Sequence, residues 1–315
     1  MTKENEIEIS VVIPAFNEQS GIRYTIESLN KIISSDSRSW ECIVVDDGSW
    51  DKTAEIAESC GVKVIQHRNQ KGYGAALKTG ILAGSGDIIC ITDADDTYPN
   101  DQLPFMVDEL INGSYDMVVG DRQGEQIKSQ KARGLTKWAL KKIANWLVNE
   151  KIPDLNSGLR VFRREPLYNF LGLLPSGFSF TTTITLAMLT NEYSVRYYPV
   201  NYYPRKGKSK IRPVYDTIGF VNLIFKIGLY FKPLKIFFSL SLLLFLVAVF
   251  WALFTLLVIG KFADASTMAI IMTSFQVAAI GLLAELINTR IYGNFRKKSE
   301  INKWEKIGNA GRKSI

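Results

Sequence analysis

From Ile236 to Gly260 the chain runs for 25 residues without a charged side chain. As a helix rising 1.5 Å per residue, such a run exceeds the ~30 Å hydrocarbon thickness of a bilayer. A second stretch, Thr267 to Thr289, has Gln276, Glu285 and Asn288 as its strongly polar residues, and only Lys261 to Ser266 separates the two. Together they predict a transmembrane hairpin. A buried core helix is the alternative for the second stretch. Glu285 does not exclude a span, because an acid near a helix end reaches the headgroups or faces the partner helix.

Charge orients the hairpin. Residues 1–200 hold 21 Lys and Arg against 26 Asp and Glu, whereas residues 201–315 hold 17 against 5. Lys226, Lys232 and Lys235 precede the first span and Arg290, Arg296, Lys297 and Lys298 follow the second, while the connection has Lys261 balanced by Asp264. Positive residues stay inside, so the expected location is the cell membrane, with both termini and the large N-terminal part cytoplasmic. The basic excess then serves anionic headgroups, and nucleic acid is not an expected partner. The first residues are polar and acidic, unlike a signal peptide. Cys42, Cys60 and Cys90 form no metal-type pair and read as small core residues of a reducing compartment.

In the first 200 residues, apolar β-branched runs at Ile7–Ile13, Cys42–Val45, Val62–Ile65, Ile88–Ile91 and Met117–Val119 alternate with helical stretches near 20–34, 51–60, 73–84 and 102–112. This alternation predicts an α/β fold, a mostly parallel sheet covered by helices on both faces. Ligands of such sheets bind at the carboxyl ends of the strands. Three of these ends are polar: Pro14-Ala15-Phe16-Asn17-Glu18, Asp46-Asp47-Gly48-Ser49 and Asp93-Ala94-Asp95-Asp96. Singly, each also reads as a helix start or a solvated turn. Asp93 and Asp95 offer two hard oxygen donors of the kind that hold Mg²⁺ or Mn²⁺ on substrate phosphates.

In order and spacing, Val11-Val12-Ile13-Pro14-Ala15-Phe16-Asn17-Glu18, Val44-Val45-Asp46-Asp47-Gly48-Ser49 and Asp93-Ala94-Asp95 resemble the family 2 glycosyltransferases of GT-A fold. Asn156-Ser157-Gly158-Leu159-Arg160, Gly177-Phe178-Ser179-Phe180 and Arg205-Lys206-Gly207-Lys208-Ser209-Lys210, followed by the hairpin, are similar to polyprenyl-phosphate glycosyltransferases of the dolichyl-phosphate mannose or glucose synthase type. The resemblance implies a nucleotide-diphosphate sugar donor, a UDP-sugar or GDP-mannose, and a polyprenyl phosphate acceptor. It assigns Pro14, Ala15, Glu18, Asp46, Asp47, Gly72, Lys78 and Asp93 to the donor nucleotide, and Asp93 and Asp95 to the metal. Asp93, Asp95 and Arg122 would carry catalysis. Gly72-Tyr73-Gly74 reads either as an ordinary turn or as a place where backbone approaches the nucleotide.

A lipid phosphate has a second pKa near 6 and is already ionised at neutral pH, so it needs positioning rather than a general base. Candidate cations are Arg122, Arg133 among Lys128, Lys131 and Lys137, then Arg160, Arg205, Lys206, Lys208 and Lys210, with Ser209 beside them. Solvated surface charge is the alternative for each, less so for Arg122 and Lys210, whose positions match phosphate contacts of the resembled family. Direct attack on the anomeric carbon is then a single inverting displacement, giving a lipid-linked sugar for later glycan modification. His67, the sole histidine, reads as a loop residue with donor-side contact and leaves no His-based metal or Ser-His-Asp device.

The expected organisation is a catalytic domain over 1–212, juxtamembrane amphipathic helices over 213–233, the hairpin over 234–290 and a basic tail over 291–315. Self-association is left open. A membrane enzyme with a sugar-hydroxyl acceptor, such as a polysaccharide synthase, and a non-catalytic nucleotide-sugar binder are the competing readings. The first lacks a Gln-x-x-Arg-Trp motif and has too few spans for an evident polymer channel.

Overall fold

A computed structural model describes residues 7–123, 135–203, 225–260 and 264–312. The chain divides into two compact units, Met1–Leu223 and Ile224–Ile315.

The first unit is built on a seven-stranded sheet. Its central strand β1 (Ile9–Ala15) is buried at every residue, as a strand covered on both faces requires. β1 pairs in parallel with β2 (Trp40–Asp46) on one side and with β4 (Ile88–Ile91) on the other, and β3 (Lys63–Gln66) extends the sheet beyond β2. Pro14 is tolerated because the β4 ladder stops at Val12–Ile91, two residues before the missing N–H. The full order is β3-β2-β1-β4-β6-β5-β7, in which β5 is Met117–Gln123, β6 Arg160–Arg163 and β7 Val195–Asn201. β6 runs antiparallel to both β4 and β5. The expected mostly parallel α/β sheet is therefore present, with one reversed strand inserted beside β4.

Helices cover both faces. α1 (Ile22–Ser35) buries Ile22, Thr25, Ile26, Leu29 and Ile32, the i, i+3, i+4, i+7 stripe of an amphipathic helix. With α4 (Leu103–Asn112) it packs on the odd-numbered side chains Ile9, Val11 and Ile13. α3 (Tyr73–Ala83) lies on the opposite face, where Gly80 lets it approach: a Cβ there would stand 2.3 Å from Val12 Cγ1. α2 (Thr53–Ser59), α5 (Leu135–Val148) and α6 (Arg164–Phe170) follow the connections between strands. α7 (Phe180–Thr190) is buried on nearly all sides and is a core helix of this unit despite five threonines.

Two of the three cysteines lie in the core as expected. Cys42 and Cys90 are buried, and burial pushes the Cys42 thiol up to about 12 and raises that of Cys90. Cys60, at the end of α2, is only half-buried. A thiol reagent should therefore modify one cysteine per native chain at neutral pH and all three after denaturation, as counted by intact mass.

In the second unit, α8 (Pro233–Phe254) continues through a wide turn at Thr255–Ile259 and ends at Gly260, whose φ of 70° is a left-handed conformation suited to glycine. α9 runs from Asp264 to Arg312. The segments Pro233–Ile259 and Ala265–Arg290 are each long and apolar enough to cross a membrane, slightly longer than the expected 236–260 and 267–289. Only 11% of the most apolar window of each is buried, which is unlike a soluble core helix. Small and polar residues form the seam: Ser241 Oγ donates to Ser274 O at 2.8 Å, and a Cβ on Gly281 would meet Phe237 Cβ at 2.6 Å. Glu285 faces the partner helix. Its carboxylate accepts the Leu234 N–H at 3.3 Å, using an acid on one span to satisfy an orphan donor at the N-terminus of the other.

Candidate active site

The carboxyl ends of β1, β2 and β4 meet at one edge of the sheet, so the three acidic segments are neighbours. The loops after β1 and β2 are stitched together. Asn17 N–H donates to Ser49 Oγ at 2.8 Å, Glu18 N–H to Thr53 Oγ1 at 2.9 Å, and Trp50 N–H returns to Asn17 Oδ1 at 3.1 Å. Asn17 takes a φ of 53°, which asparagine tolerates. Phe16 meets Trp50 edge-on at 5.1 Å, and 82% of Trp50 is exposed. Pro14 and Ala15 are buried in β1 and form the floor of this edge, with Glu18 half-buried above them.

Asp46 and Asp47 are both buried, and their oxygens serve the scaffold. Asp46 accepts from the Ser49 hydroxyl and N–H. Asp47 accepts from Lys71 N–H at 2.9 Å and Gly72 N–H at 2.7 Å, and its Oδ1 lies 2.7 Å from His67 Nδ1. His67 lies in the loop after β3, as expected, and is buried, with Nε2 2.9 Å from Thr79 Oγ1. Gly72 packs against the chain's own backbone. Its φ of 105° needs glycine, but the space it opens is filled by the chain itself, since a Cβ would lie 2.5 Å from Ser176 O, and one on Gly74 2.2 Å from Pro175 O. Lys78 sits half-buried on α3.

Asp93 and Asp95 flank the turn after β4, both half-buried. Close packing shapes that turn. Gly21, at the start of α1, leaves no room for a Cβ beside Ala94 O, and a Cβ on Gly158 would fall 2.6 Å from Asp93 Oδ2. Asp95 Oδ1 accepts the Thr97 hydroxyl at 2.6 Å, and Asp93 Oδ1 accepts that of Tyr73 at 3.0 Å.

Arg122 lies at the end of β5 and is held bidentately by Asp154, Nε to Oδ2 at 2.7 Å and Nη2 to Oδ1 at 3.0 Å. Burial would raise the Asp154 pKa, but the Arg122 guanidinium outweighs it and holds the carboxyl below its ordinary range. Arg122 also stacks over the Tyr202 ring at 5.3 Å, Tyr202 meets Tyr98 edge-on, and the Tyr98 hydroxyl accepts the Gly158 N–H at 2.7 Å. Two tyrosines thus bridge Arg122 to the glycine that packs on Asp93. Arg160 behaves otherwise. It is fully buried, with its guanidinium spent on Ser157 O at 2.7 Å, Leu155 O at 3.0 Å and Thr185 Oγ1 at 2.6 Å. Arg160 is therefore a brace between the 155–157 loop and α7. Arg133, Arg205, Lys206, Lys208, Ser209 and Lys210 lie outside the described residues, as does most of the expected interfacial stretch 213–233.

Tyr73, Tyr98, Asp154 and Tyr202 escaped the sequence reading. Tyr73 stood within the Gly72-Tyr73-Gly74 turn and Asp154 two residues before the Asn156 motif, but side-chain partners distant in sequence have no local signature.

Residues 10–171 match the Glycosyl transferase family 2. The chain is a family 2 glycosyltransferase. Residues 232–290 of this glycosyltransferase match the GtrB C-terminal hairpin. The chain is 34% identical over 215 residues to the dolichyl-phosphate hexose transferase of Haloferax volcanii, covering 68% of this chain and 90% of that one. It is 32% identical to an undecaprenyl-phosphate 4-deoxy-4-formamido-L-arabinose transferase of Salmonella choleraesuis, over 50% of this chain and 49% of that one. Among solved structures, glucosyl-3-phosphoglycerate synthase of Mycobacterium tuberculosis in complex with Mn²⁺, UDP and phosphoglyceric acid aligns with a TM-score of 0.57 at 22% identity, covering 70% of this chain and 78% of that one. That likeness is one of fold, and it agrees with the expected GT-A architecture.

Proposed function

We propose that this glycosyltransferase moves a hexose from a nucleotide-diphosphate sugar to a polyprenyl phosphate at the cytoplasmic membrane face. Support comes from relatives named for dolichyl-phosphate and undecaprenyl-phosphate sugar transfer and from the match to a C-terminal hairpin. The observation that carries the reading is the pairing, around one sheet edge, of the acids Asp93 and Asp95 with the preset cation Arg122, linked through Gly158, Tyr98 and Tyr202.

The acids fit a divalent ion. Among the described residues no group of three or more His, Cys, Asp or Glu side chains could hold a metal, so these residues build no closed metal cage. Two half-buried carboxylates suit Mg²⁺ or Mn²⁺, which keep waters and substrate phosphates in their shell. Bound there, such an ion would neutralise charge on the departing nucleoside diphosphate.

The chain's own residues do the rest. The stitched β1 and β2 loops, with Phe16 and Glu18, receive the nucleotide. Arg122, fixed by Asp154 yet 21% exposed along its side chain, places the acceptor phosphate. A phosphate oxygen forms the new bond to the anomeric carbon from the face opposite the leaving group, the bond to the diphosphate oxygen breaks, and the anomeric configuration inverts. No proton transfer is required. His67, with both ring nitrogens engaged by Asp47 and Thr79, matches a site without a histidine base.

The test is a donor panel. Full-length protein in membranes is incubated with undecaprenyl phosphate and, separately, UDP-glucose, UDP-GlcNAc, UDP-galactose and GDP-mannose. At least one donor should yield a lipid monophosphate sugar by mass spectrometry. Transfer to undecaprenol or a glycan hydroxyl instead, with none to the phosphate, would refute the proposal.

A further inference from the structure

Tyr73 stands apart from the residues already given a task. It opens α3, its hydroxyl donates to Asp93 Oδ1 at 3.0 Å, and its ring stacks on Phe178 with centroids 5.5 Å apart and planes 19° from parallel. Phe178 is 55% exposed, so the stack lies at the rim of the molecule rather than in its core. The two segments are locked together at the backbone. Ala75 N–H donates to Ser176 O at 3.1 Å, and only glycines at 72 and 74 allow the 175–177 backbone to come so close. The position of the Tyr73 hydroxyl is thus set by the Pro175–Phe178 loop, and the hydroxyl in turn reaches one oxygen of Asp93.

A carboxylate turns easily about its side-chain torsions, and a donor fixed to one oxygen limits the rotamers the carboxylate can take. Gly158 packs against the same carboxylate and narrows the choice further. We infer that Tyr73 is a positioning residue that holds Asp93 in its metal-binding orientation and, through Phe178, couples that orientation to the 175–178 loop. This rests on the assignment of Asp93 to a divalent ion. Losing such a supporting hydrogen bond typically weakens metal affinity about 10- to 100-fold. A hydroxyl that merely filled core space would leave metal affinity unchanged on its removal.

The experiment measures Mn²⁺ binding to full-length protein in detergent by electron paramagnetic resonance, with UDP and, in a parallel arm, GDP. The Y73F variant keeps the ring and its stack. It is expected to bind Mn²⁺ about tenfold more weakly than wild type, with its metal-free melting temperature nearly unchanged. In the transfer assay its Mn²⁺ activation constant should rise by the same factor, while kcat recovers at saturating Mn²⁺. F178A, which removes the stacking partner, should weaken Mn²⁺ in the same direction and by less. Mn²⁺ affinity of Y73F within twofold of wild type would overturn the assignment of Tyr73, and unchanged affinity in F178A would overturn the coupling to the loop. Wild-type protein that binds no Mn²⁺ with either nucleotide would remove the metal reading itself, and the inference with it.

Discussion

The D95A variant should lose sugar transfer by about 10³-fold or more, equivalent to ~4 kcal/mol of transition-state stabilisation. Asp95 lies on a half-buried turn, its Oδ1 engaged with Thr97 two residues on, so alanine removes an oxygen donor without opening a cavity in the core. The protein should therefore remain folded, and the loss should persist at saturating Mg²⁺ or Mn²⁺. The check is turnover against metal concentration, alongside circular dichroism. Full turnover of D95A at high metal would remove this acid from the metal site.

The D154A variant should be destabilised by about 3–5 kcal/mol, because it leaves the Arg122 guanidinium without its bidentate partner in a largely buried place. In a catalytic unit of some 200 residues this lowers the melting temperature by roughly 6–20 °C. Asparagine, which retains one accepting oxygen, should lose less. In the surviving folded fraction, KM for polyprenyl phosphate should rise more than KM for the nucleotide sugar, since Arg122 is set for the acceptor. Equal changes in both would contradict that placement. The pH dependence follows from the sign of the Asp154 shift. A carboxyl whose folded pKa lies below its ordinary ~3.9 contributes stability above that value and loses it only as pH falls further. Between pH 6 and 8 the pair stays ionised. A rise in acceptor KM as pH falls through ~6 should instead track protonation of the acceptor phosphate.

The strands β1 to β5 and helices α1 to α4 were legible because each is a short apolar run or stripe bounded by turn residues, and local pattern decides such elements. The reversed strand β6 was hidden. Arg160-Val161-Phe162-Arg163 is four residues long, and its first arginine is buried by contacts with the 155–157 loop and α7 that no local pattern announces. α7 was missed because Thr181, Thr182, Thr183 and Thr185 read as polar, whereas in place Thr183 and Thr185 donate back to carbonyls one turn earlier and Thr182 to Asn156. The site was legible in its residue types and less so in their tasks. Asp46, Asp47, Gly72 and Arg160 were all singled out for ligand contact, and the structure shows each also engaged by the chain itself. The sequence could name an acid or a cation at a strand end, but not whether its partners are solvent or the chain's own N–H groups.

The most direct test of the account asks which phosphate ends up in the product. Undecaprenyl phosphate labelled with ³²P is incubated with the protein, Mg²⁺ or Mn²⁺ and whichever sugar donor supports turnover, and the lipid product and released nucleotide are analysed together. Attack by the acceptor phosphate predicts a lipid monophosphate sugar that retains the acceptor's ³²P, with one equivalent of unlabelled nucleoside diphosphate released. A lipid diphosphate sugar accompanied by nucleoside monophosphate, or a product without the acceptor's ³²P, would contradict it.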